Sequence, residues 1–206
     1  MPRRPADQTV NRDDILHAAA QVFCERGYHG ATMQDISAAV GLTAGSLYHH
    51  FKGGKEAILI AVLESGLDQV IGDLQAIADS ALAPDEKLRR AIEAHVRSVT
   101  RNVAVAALMI FEMRTTLSLP EVPARYLARR DNFEALYRQI VEEGMQAGVF
   151  RPVDAGIFTR ALLGASNWVS VWFRPEGRLS GDEIAAQIAD IFLRSLLSTS
   201  PSSDTP

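Results

Sequence analysis

Residues Thr32–Phe51 read TMQDISAAVGLTAGSLYHHF, and their pattern predicts two short helices joined by a tight turn. Thr32 is a candidate N-cap, and Asp35, three residues later, can complete a capping box with it. Gly41 follows the first apolar stripe, at the point where a residue of left-handed conformation commonly ends a helix. Thr43 can then cap a second helix in the remainder of the stretch.

The second of these helices has two chemically different faces. Leu47 and Phe51 are four residues apart and share one face, which we predict to be buried. The opposite face carries small, hydroxyl and polar aromatic residues: Ala44, Gly45, Ser46, Tyr48 and His49. Small residues let a helix approach base edges, and the polar groups suit phosphates and thymine methyl groups. This is the pattern of a helix-turn-helix, whose second helix enters the major groove; the alternative is a helical hairpin with a solvated face.

The stretch also resembles the DNA-binding domain of the TetR/AcrR family of bacterial transcriptional regulators. The resemblance covers about residues 12–60 and rests on Thr32-x2-Asp35-Ile36-x2-Ala39-x-Gly41-Leu42-x2-Gly45-x-Leu47-Tyr48-His49-His50-Phe51, followed by Lys52 and Lys55-Glu56. Members of that family are all-helical homodimers that bind an operator through the N-terminal domain. Their C-terminal domain binds a small effector and dimerises through its last two long helices.

The residues that we expect to contact DNA follow from this pattern and from the resemblance. They are Thr32, Thr43, Ala44, Gly45, Ser46, Tyr48, His49 and Lys55. Lys55 is included because it begins the fourth helix, where an ammonium group and the free N–H groups of the helix start both attract phosphate.

Composition and charge set broad limits on function. The chain has 206 residues, a net charge of −4 and one cysteine, Cys24, which excludes an internal disulfide and which we interpret as a packing residue. Residues 1–55 carry six Arg or Lys against five acidic residues, a weak excess of the sign expected for DNA binding. We find no apolar run of membrane-spanning length and no signal peptide, so we expect a cytoplasmic protein.

Helical periodicity extends through the chain and predicts an all-α fold of about nine helices. We expect a disordered arm at 1–10, a three-helix DNA-binding domain at 11–54, a helical bundle for ligand binding and dimerisation at 55–198, and a disordered tail at 199–206. Asn11 or a neighbour would cap the first helix and Gly27 would end it. Arg3 and Arg4 of the arm could follow the minor groove or lie in a solvated tail.

The apolar segment Val103–Phe111 is the first candidate for a ligand wall. It has no charged or strongly polar side chain, so we expect it to be buried nearly all round, either around a ligand or as plain core. Met109, Phe111 and Met113 are the adaptable side chains of this region, and Arg114 follows them as a candidate polar contact. We add Tyr137, Asn167 and Trp168, from helices nearer the C-terminus, to the expected ligand-binding set.

The two last predicted helices, about 154–173 and 180–198, have more apolar surface than one small bundle covers, which favours a two-fold dimer interface. The segment from Asn167 to Ala185 is also similar to a TetR subgroup in which several members sense acyl-CoA thioesters. That similarity implies an acyl-CoA effector, with Arg101, Arg114 or Arg174 on the CoA phosphates.

Together these features predict a dimeric, ligand-responsive repressor that binds a palindromic operator. A small-molecule effector such as an acyl-CoA would release the repressor from DNA, and helix four would transmit the conformational change between the two domains. One alternative is a TetR-type regulator of an efflux pump that senses hydrophobic compounds. Another is a partner-binding helical protein that has lost DNA binding. We find no catalytic constellation and no metal-ligand spacing, so we expect neither an enzyme nor a cofactor.

Overall fold

The computed structural model of the chain describes residues 10–111 and 124–197. Within these ranges the chain is all-α, as predicted, with nine helices and an isolated β-bridge between Phe150 and Leu197. The helices are α1 (Arg12–Gly30), α2 (Met33–Val40), α3 (Ala44–His50), α4 (Gly54–Ala78), α5 (Pro84–Arg101), α6 (Val103–Phe111), α7 (Ala124–Gln146), α8 (Ala155–Trp172) and α9 (Gly181–Leu196).

The turn between α2 and α3 is built as the sequence predicted. The Asp35 N–H donates to Thr32 Oγ1 (3.2 Å) and the Thr32 N–H donates to Asp35 Oδ2 (2.9 Å), which is a complete capping box. Gly41 ends α2 in the left-handed region, with φ 72°. Thr43 then caps α3 by accepting from the Ser46 N–H at 3.1 Å.

The first helix has the two end signals that the sequence predicted. Asn11 caps it in a capping box with Asp14. Gly27 interrupts the helical backbone with a φ of 67°, and after this kink a further short helical stretch continues to Gly30. Glycine reaches this backbone conformation at low cost because it has no Cβ. Tyr28, in the turn beyond the kink, is buried.

One apolar core joins the first three helices. Ile15 and Phe23 of α1, Ile36 of α2 and Leu47 of α3 are at most 1% exposed, and Phe51 is buried beside them. A helix-turn-helix pair cannot bury its own inner face, so α1 is needed to complete this core.

Helix α4 contains two interior glycines with different surroundings. A Cβ built on Gly66 would lie 2.7 Å from Val105 Cγ1 and 3.5 Å from Met109 Sδ, both on α6. Gly66 therefore lets α4 and α6 pack closely. A Cβ on Gly72 would meet no atom of the described residues within 4 Å, so no described helix packs closely against that glycine.

Helix α6 is less buried than its composition predicted. Leu108 is 1% exposed, whereas Val103–Ala107, Met109 and Ile110 are all half-buried. The helix packs along one side, against α4 at Gly66 and against α1, where the Cys24 thiol donates to the Ala104 carbonyl at 3.0 Å. Cys24, which we interpreted as a packing residue, is exposed, and its described contact is this hydrogen bond to α6.

Helix α5 is the centre of a second group of helices and packs against α7, α8 and α9. Leu88, Ile92 and Val96 form its fully buried stripe. Arg97 reaches across to the start of α9, where its Nε donates to Asp182 Oδ1 at 2.6 Å. No described helix is long and apolar enough to cross a lipid bilayer.

The buried Lys87 of α5 ties three helices together. Its ammonium group donates to the Ala78 carbonyl at the end of α4 (2.7 Å) and to Glu143 Oε2 of α7 (3.0 Å). Hydrogen bonds from Gln139 and then from Lys87 hold the pKa of the Glu143 carboxyl below its usual value. The lysine thereby satisfies a helix C-terminal carbonyl that would otherwise have no partner.

The described residues form two compact units that divide the chain elsewhere than predicted. The first unit has residues 10–66 and 104–111, and the second has 67–103 and 124–197. The predicted division between residues 54 and 55 falls at the start of α4. The compact units instead divide within α4, because the first half of that helix and α6 group with the N-terminal helices. Residues 1–9 of the predicted arm and the whole predicted tail lie outside the described residues.

Candidate functional site

The outer face of α3 is exposed as predicted. Leu47 is fully buried beneath it, while the Tyr48 side chain is 49% exposed. Thr43, Gly45 and His49 are also exposed, and Ala44 and Ser46 are half-buried. The recognition surface (the side chains of α3 and its cap that face away from Leu47) is therefore available to a macromolecular partner.

The hydroxyl groups at the start of α3 are engaged with each other. Thr43 Oγ1 and Ser46 Oγ are 2.9 Å apart, and Thr43 Oγ1 also accepts the Ser46 N–H. Both groups lie at the rim of the recognition surface, so the pair fixes the helix start and still presents oxygen atoms outward. Their contact with phosphate stays a prediction.

Thr32 has a local structural role. Its hydroxyl donates to Asp35 Oδ2 at 2.7 Å, so its one hydrogen-bond proton is committed to the capping box. These hydrogen bonds from Thr32, with a smaller contribution from the nearby Arg26, lower the pKa of Asp35. Arg26 Nη1 lies 3.0 Å from Asp35 Oδ1 and links α1 to α2.

Lys55 does not project freely toward a phosphate, contrary to the sequence-based expectation. Its Nζ donates to the carbonyls of Tyr28 (2.6 Å) and Ala31 (2.8 Å) and lies 4.5 Å from the centre of the Tyr28 ring. Helix C-termini attract cations, and the end of α1 offers these carbonyls together with an aromatic face. Lys55 therefore fastens the start of α4 to the end of α1. Two of its three donors are used in this way.

A small cavity lies in the second unit, between α4, α5 and α7. Its volume is about 10 Å³, and its lining is mostly apolar and aromatic: Val70, Asp73, Leu74, Ala91, Ala94, His95, Phe133 and Tyr137. Tyr137, one of the predicted ligand residues, is fully buried here and its hydroxyl donates to the Ala91 carbonyl at 2.8 Å. Burial raises the pKa of this phenol, which stays protonated.

The lining also includes His95, a buried polar residue that the sequence analysis did not select. His95 Nε2 lies 3.0 Å from Asn167 Oδ1, and the imidazole meets the Phe133 ring edge-on at 5.2 Å. Burial lowers its pKa to about 4, so the ring is neutral at pH 7. The signal was present in the sequence, because His95 falls in the same helical register as the buried Leu88, Ile92 and Val99.

The other predicted ligand residues belong to different compact units. Met109 belongs to the first unit and packs beside Gly66, whereas Asn167 belongs to the second unit and contacts His95. The Trp168 side chain is 53% exposed, whereas that of the preceding Asn167 reaches His95, because successive residues on a helix point about 100° apart. The contact of Trp168 with a ligand stays a prediction. The Phe111 side chain, Met113 and Arg114 lie outside the described residues.

Helices α8 and α9 carry an exposed apolar strip. One face of α8 carries three large exposed side chains, Ile157 (68% exposed), Trp168 (53%) and Trp172 (49%). On α9, Ile191 is 64% exposed. The α8 strip is continuous, because the residues between its large side chains are small and exposed: Ala161, Gly164 and Ala165. Neighbouring large apolar side chains in contact with water mark an interaction surface.

Comparison with known proteins agrees with this architecture. The family described as "Bacterial regulatory proteins, tetR family" matches residues 15–62. The family described as "Tetracyclin repressor-like, C-terminal domain" matches residues 81–196, which is more than half of the chain. The chain belongs to the TetR family. It is a helix-turn-helix transcriptional regulator of that family.

Three relatives are informative for this TetR-family chain. The HTH-type transcriptional repressor KstR2 of Mycolicibacterium smegmatis is 32% identical over 194 residues, covering 93% of each chain. The TetR family regulator PfmR from Thermus thermophilus is 36% identical, covers 89% of this chain and 98% of its own, and has a TM-score of 0.79. AibR in complex with isovaleryl coenzyme A and operator DNA is 31% identical, with a TM-score of 0.75 and coverage of 90% and 97%.

Proposed function

We propose that this TetR-family chain is a homodimeric repressor that binds a palindromic operator through α3 and releases it when a small-molecule effector binds. The exposed outer face of α3, held over a capped and buried base, carries the proposal. KstR2, a relative at 32% identity, is named a transcriptional repressor, which supports repression over activation. Such a function is exercised on chromosomal DNA in the cytoplasm, and it involves no enzymatic reaction.

The exposed apolar strip supports a homodimer. On α8 the large exposed side chains alternate with the small residues Ala161, Gly164 and Ala165. This alternation lets two copies of α8 approach closely across a two-fold axis, with Ile191 of α9 at the edge. A two-fold protein presents two recognition helices to two half-sites about one helical turn of DNA apart. The palindromic operator in the proposal follows from this symmetry.

The DNA-binding part is tested with labelled DNA from the region upstream of the gene. We expect saturable binding of two chains per operator, measured by fluorescence anisotropy. Tyr48→Ala should weaken it by about tenfold or more through the loss of a large exposed side chain of α3. Asn132→Ala, at an exposed position on α7, is the control and should bind normally. Binding that is equal for both variants would refute the assignment of α3.

The dimer is tested with a matched pair of glycine substitutions. A Cβ at Gly164 or at Gly72 meets no atom within 4 Å in the described part of the chain, which leaves space for a side chain at both positions. Gly164→Glu places a charge in the proposed interface and should give monomers in sedimentation velocity, whereas Gly72→Glu should remain dimeric. A dimeric Gly164→Glu protein would place the interface elsewhere.

For the effector we propose an acyl-CoA thioester. The AibR structure, at 31% identity, contains isovaleryl coenzyme A together with operator DNA, and the Asn167–Ala185 segment resembles acyl-CoA-responsive members. Titration of the protein–operator complex with isovaleryl-CoA and with longer acyl-CoAs should release the DNA, while free CoA should not. Release by hydrophobic drugs but by no acyl-CoA would favour the efflux-regulator alternative.

A further inference from the structure

Arg12, at the start of α1, is exposed and has no acidic partner in the described part of the chain. Asp14, two residues later, accepts the Asn11 N–H at 3.2 Å instead. Arg26 of the same helix, by contrast, pairs with Asp35. A cation in the first turn of a helix lies at the positive end of the helix dipole, so Arg12 does not stabilise α1. Its position therefore has to be explained by another interaction.

The Arg12 side chain reaches from α1 to the end of the recognition helix. Its Cζ lies 5.3 Å from the centre of the Phe51 ring. Phe51 is the C-cap residue of α3 and only 5% exposed, so the ring is a fixed base in the core of the first unit. A guanidinium group stacks on an aromatic face through its plane and keeps its N–H donors for other acceptors. The ring therefore orients Arg12 without using those donors.

A second cation lies beside the same ring. Lys52 directly follows Phe51, is exposed, and has no hydrogen-bond or ion-pair partner among the residues that the structure describes. Lys55 differs, because its ammonium group is bound to two carbonyls near the end of α1. Within residues 10–66 and 104–111, Arg12 and Lys52 are thus the Lys and Arg side chains whose N–H donors remain available to an outside partner.

The end of α3 is where a DNA strand would pass. In a major groove about 12 Å wide, a helix of seven residues, about 10 Å long, has both ends close to a sugar–phosphate strand. The stretch from Thr43 to His50 contains no Lys or Arg, so the cations that neutralise phosphates must come from its flanks.

From this arrangement we propose that Arg12 and Lys52 bind backbone phosphates of the operator beside the end of α3, with Phe51 orienting Arg12. The proposal rests on the proposed DNA-binding function and names the residues that supply sequence-independent affinity. Contacts to phosphate position a protein on the duplex, whereas contacts to base edges select the sequence. Arg12 and Lys52 should therefore contribute equally to operator and to unrelated DNA.

The test measures how the affinity for DNA depends on salt in Arg12→Gln and in Lys52→Gln. Fluorescence anisotropy is recorded with the operator and with a duplex of scrambled sequence. Each lost phosphate contact reduces the slope of log affinity against log salt by about 0.9, hence by about 1.8 when two chains bind. The advantage of wild type over each variant should consequently shrink about twelvefold between roughly 50 and 200 mM salt, on both duplexes.

Two controls separate the loss of a phosphate contact from other effects. Arg12→Lys keeps the charge and should keep the wild-type slope. Arg90→Gln also removes one positive charge, from an exposed ion pair on α5, and its slope should equal that of wild type. Thermal melting shows that each variant is folded; if Arg12→Gln is not, Arg12→Met replaces it and retains an apolar stem over Phe51.

A wild-type slope in either neutral variant would overturn the phosphate contact of that residue. Equal binding of operator and scrambled duplex by the wild-type protein would instead overturn the proposed repressor function, and the slopes on either duplex would still decide the roles of Arg12 and Lys52. Absence of any DNA binding by wild type would overturn both proposals.

Discussion

Lowering the pH from 7 to 5 should destabilise this protein through one residue. The pKa of His95 falls from an ordinary 6.5 to about 4 in the folded chain because burial opposes the charged ring. Between these two values the unfolded chain binds a proton at His95 and the folded chain does not. The contribution of neutral His95 to the free energy of unfolding is therefore complete above pH 6.5 and decreases as the pH falls toward 4. At pH 5 the linkage relation gives a loss of about 2 kcal/mol.

The measurement compares wild type with His95→Gln in urea unfolding at pH 7 and at pH 5. Gln is suitable because its amide N–H can donate to Asn167 as His95 Nε2 does, and it does not titrate. Trp168 and Trp172 lie on α8, in the same compact unit as His95, so their fluorescence reports unfolding of the relevant helices. Equal protein concentrations are needed, because association would contribute to the apparent stability.

The decisive quantity is the difference between the two proteins in their loss of stability from pH 7 to pH 5. Other titrating groups are common to both proteins and cancel, so wild type should lose about 2 kcal/mol more than His95→Gln. An equal loss in both proteins would show that the imidazole is solvated in the folded chain, and it would refute the burial on which the argument depends.

Three further predictions concern stability measured by chemical denaturation. Lys87→Met should cost about 2 kcal/mol because it removes a buried hydrogen bond to Ala78 and a partly buried one to Glu143. Arg90→Ala removes an exposed ion pair on the same helix and should cost about 0.5 kcal/mol or less; similar losses would contradict this contrast. Gly66→Ala should destabilise the protein by about 1–2 kcal/mol because its Cβ would contact α6, while Gly72→Ala should stabilise it by up to about 1 kcal/mol. A change in the free energy of unfolding with the same sign for both variants would be inconsistent with the packing. Thr32→Ala should cost about 1 kcal/mol through the lost cap, and Thr32→Ser should restore most of it.

The helix-turn-helix could be predicted from sequence because its determinants are close together along the chain. A cap and its partner are three residues apart at Thr32 and Asp35, and the buried Leu47 and Phe51 are four apart. Interactions at such spacing form within one or two helical turns and do not depend on how the rest of the chain packs. The capping box of α9, between Ser180 and Glu183, has the same three-residue spacing.

The sites that depend on distant residues were not predicted correctly. The two carbonyls that bind Lys55 lie 27 and 24 residues before it, and the amide that orients His95 lies 72 residues after it. Periodicity places a residue on one face of a helix, but it does not state which helix that face meets. For this reason Lys55 was assigned to DNA and His95 was overlooked.

The sequence by itself determined that the chain is all-helical, where the recognition helix lies, which of its side chains face outward and which family the chain resembles. The tertiary structure alone decided that His95 lines a cavity, that Trp168 faces outward and that Gly66 is required for close packing of α6. The physical reason is the range of the interactions. Hydrogen bonds and apolar contacts within a helix are set by neighbouring residues, whereas cavities and buried polar pairs arise only where separate helices come together.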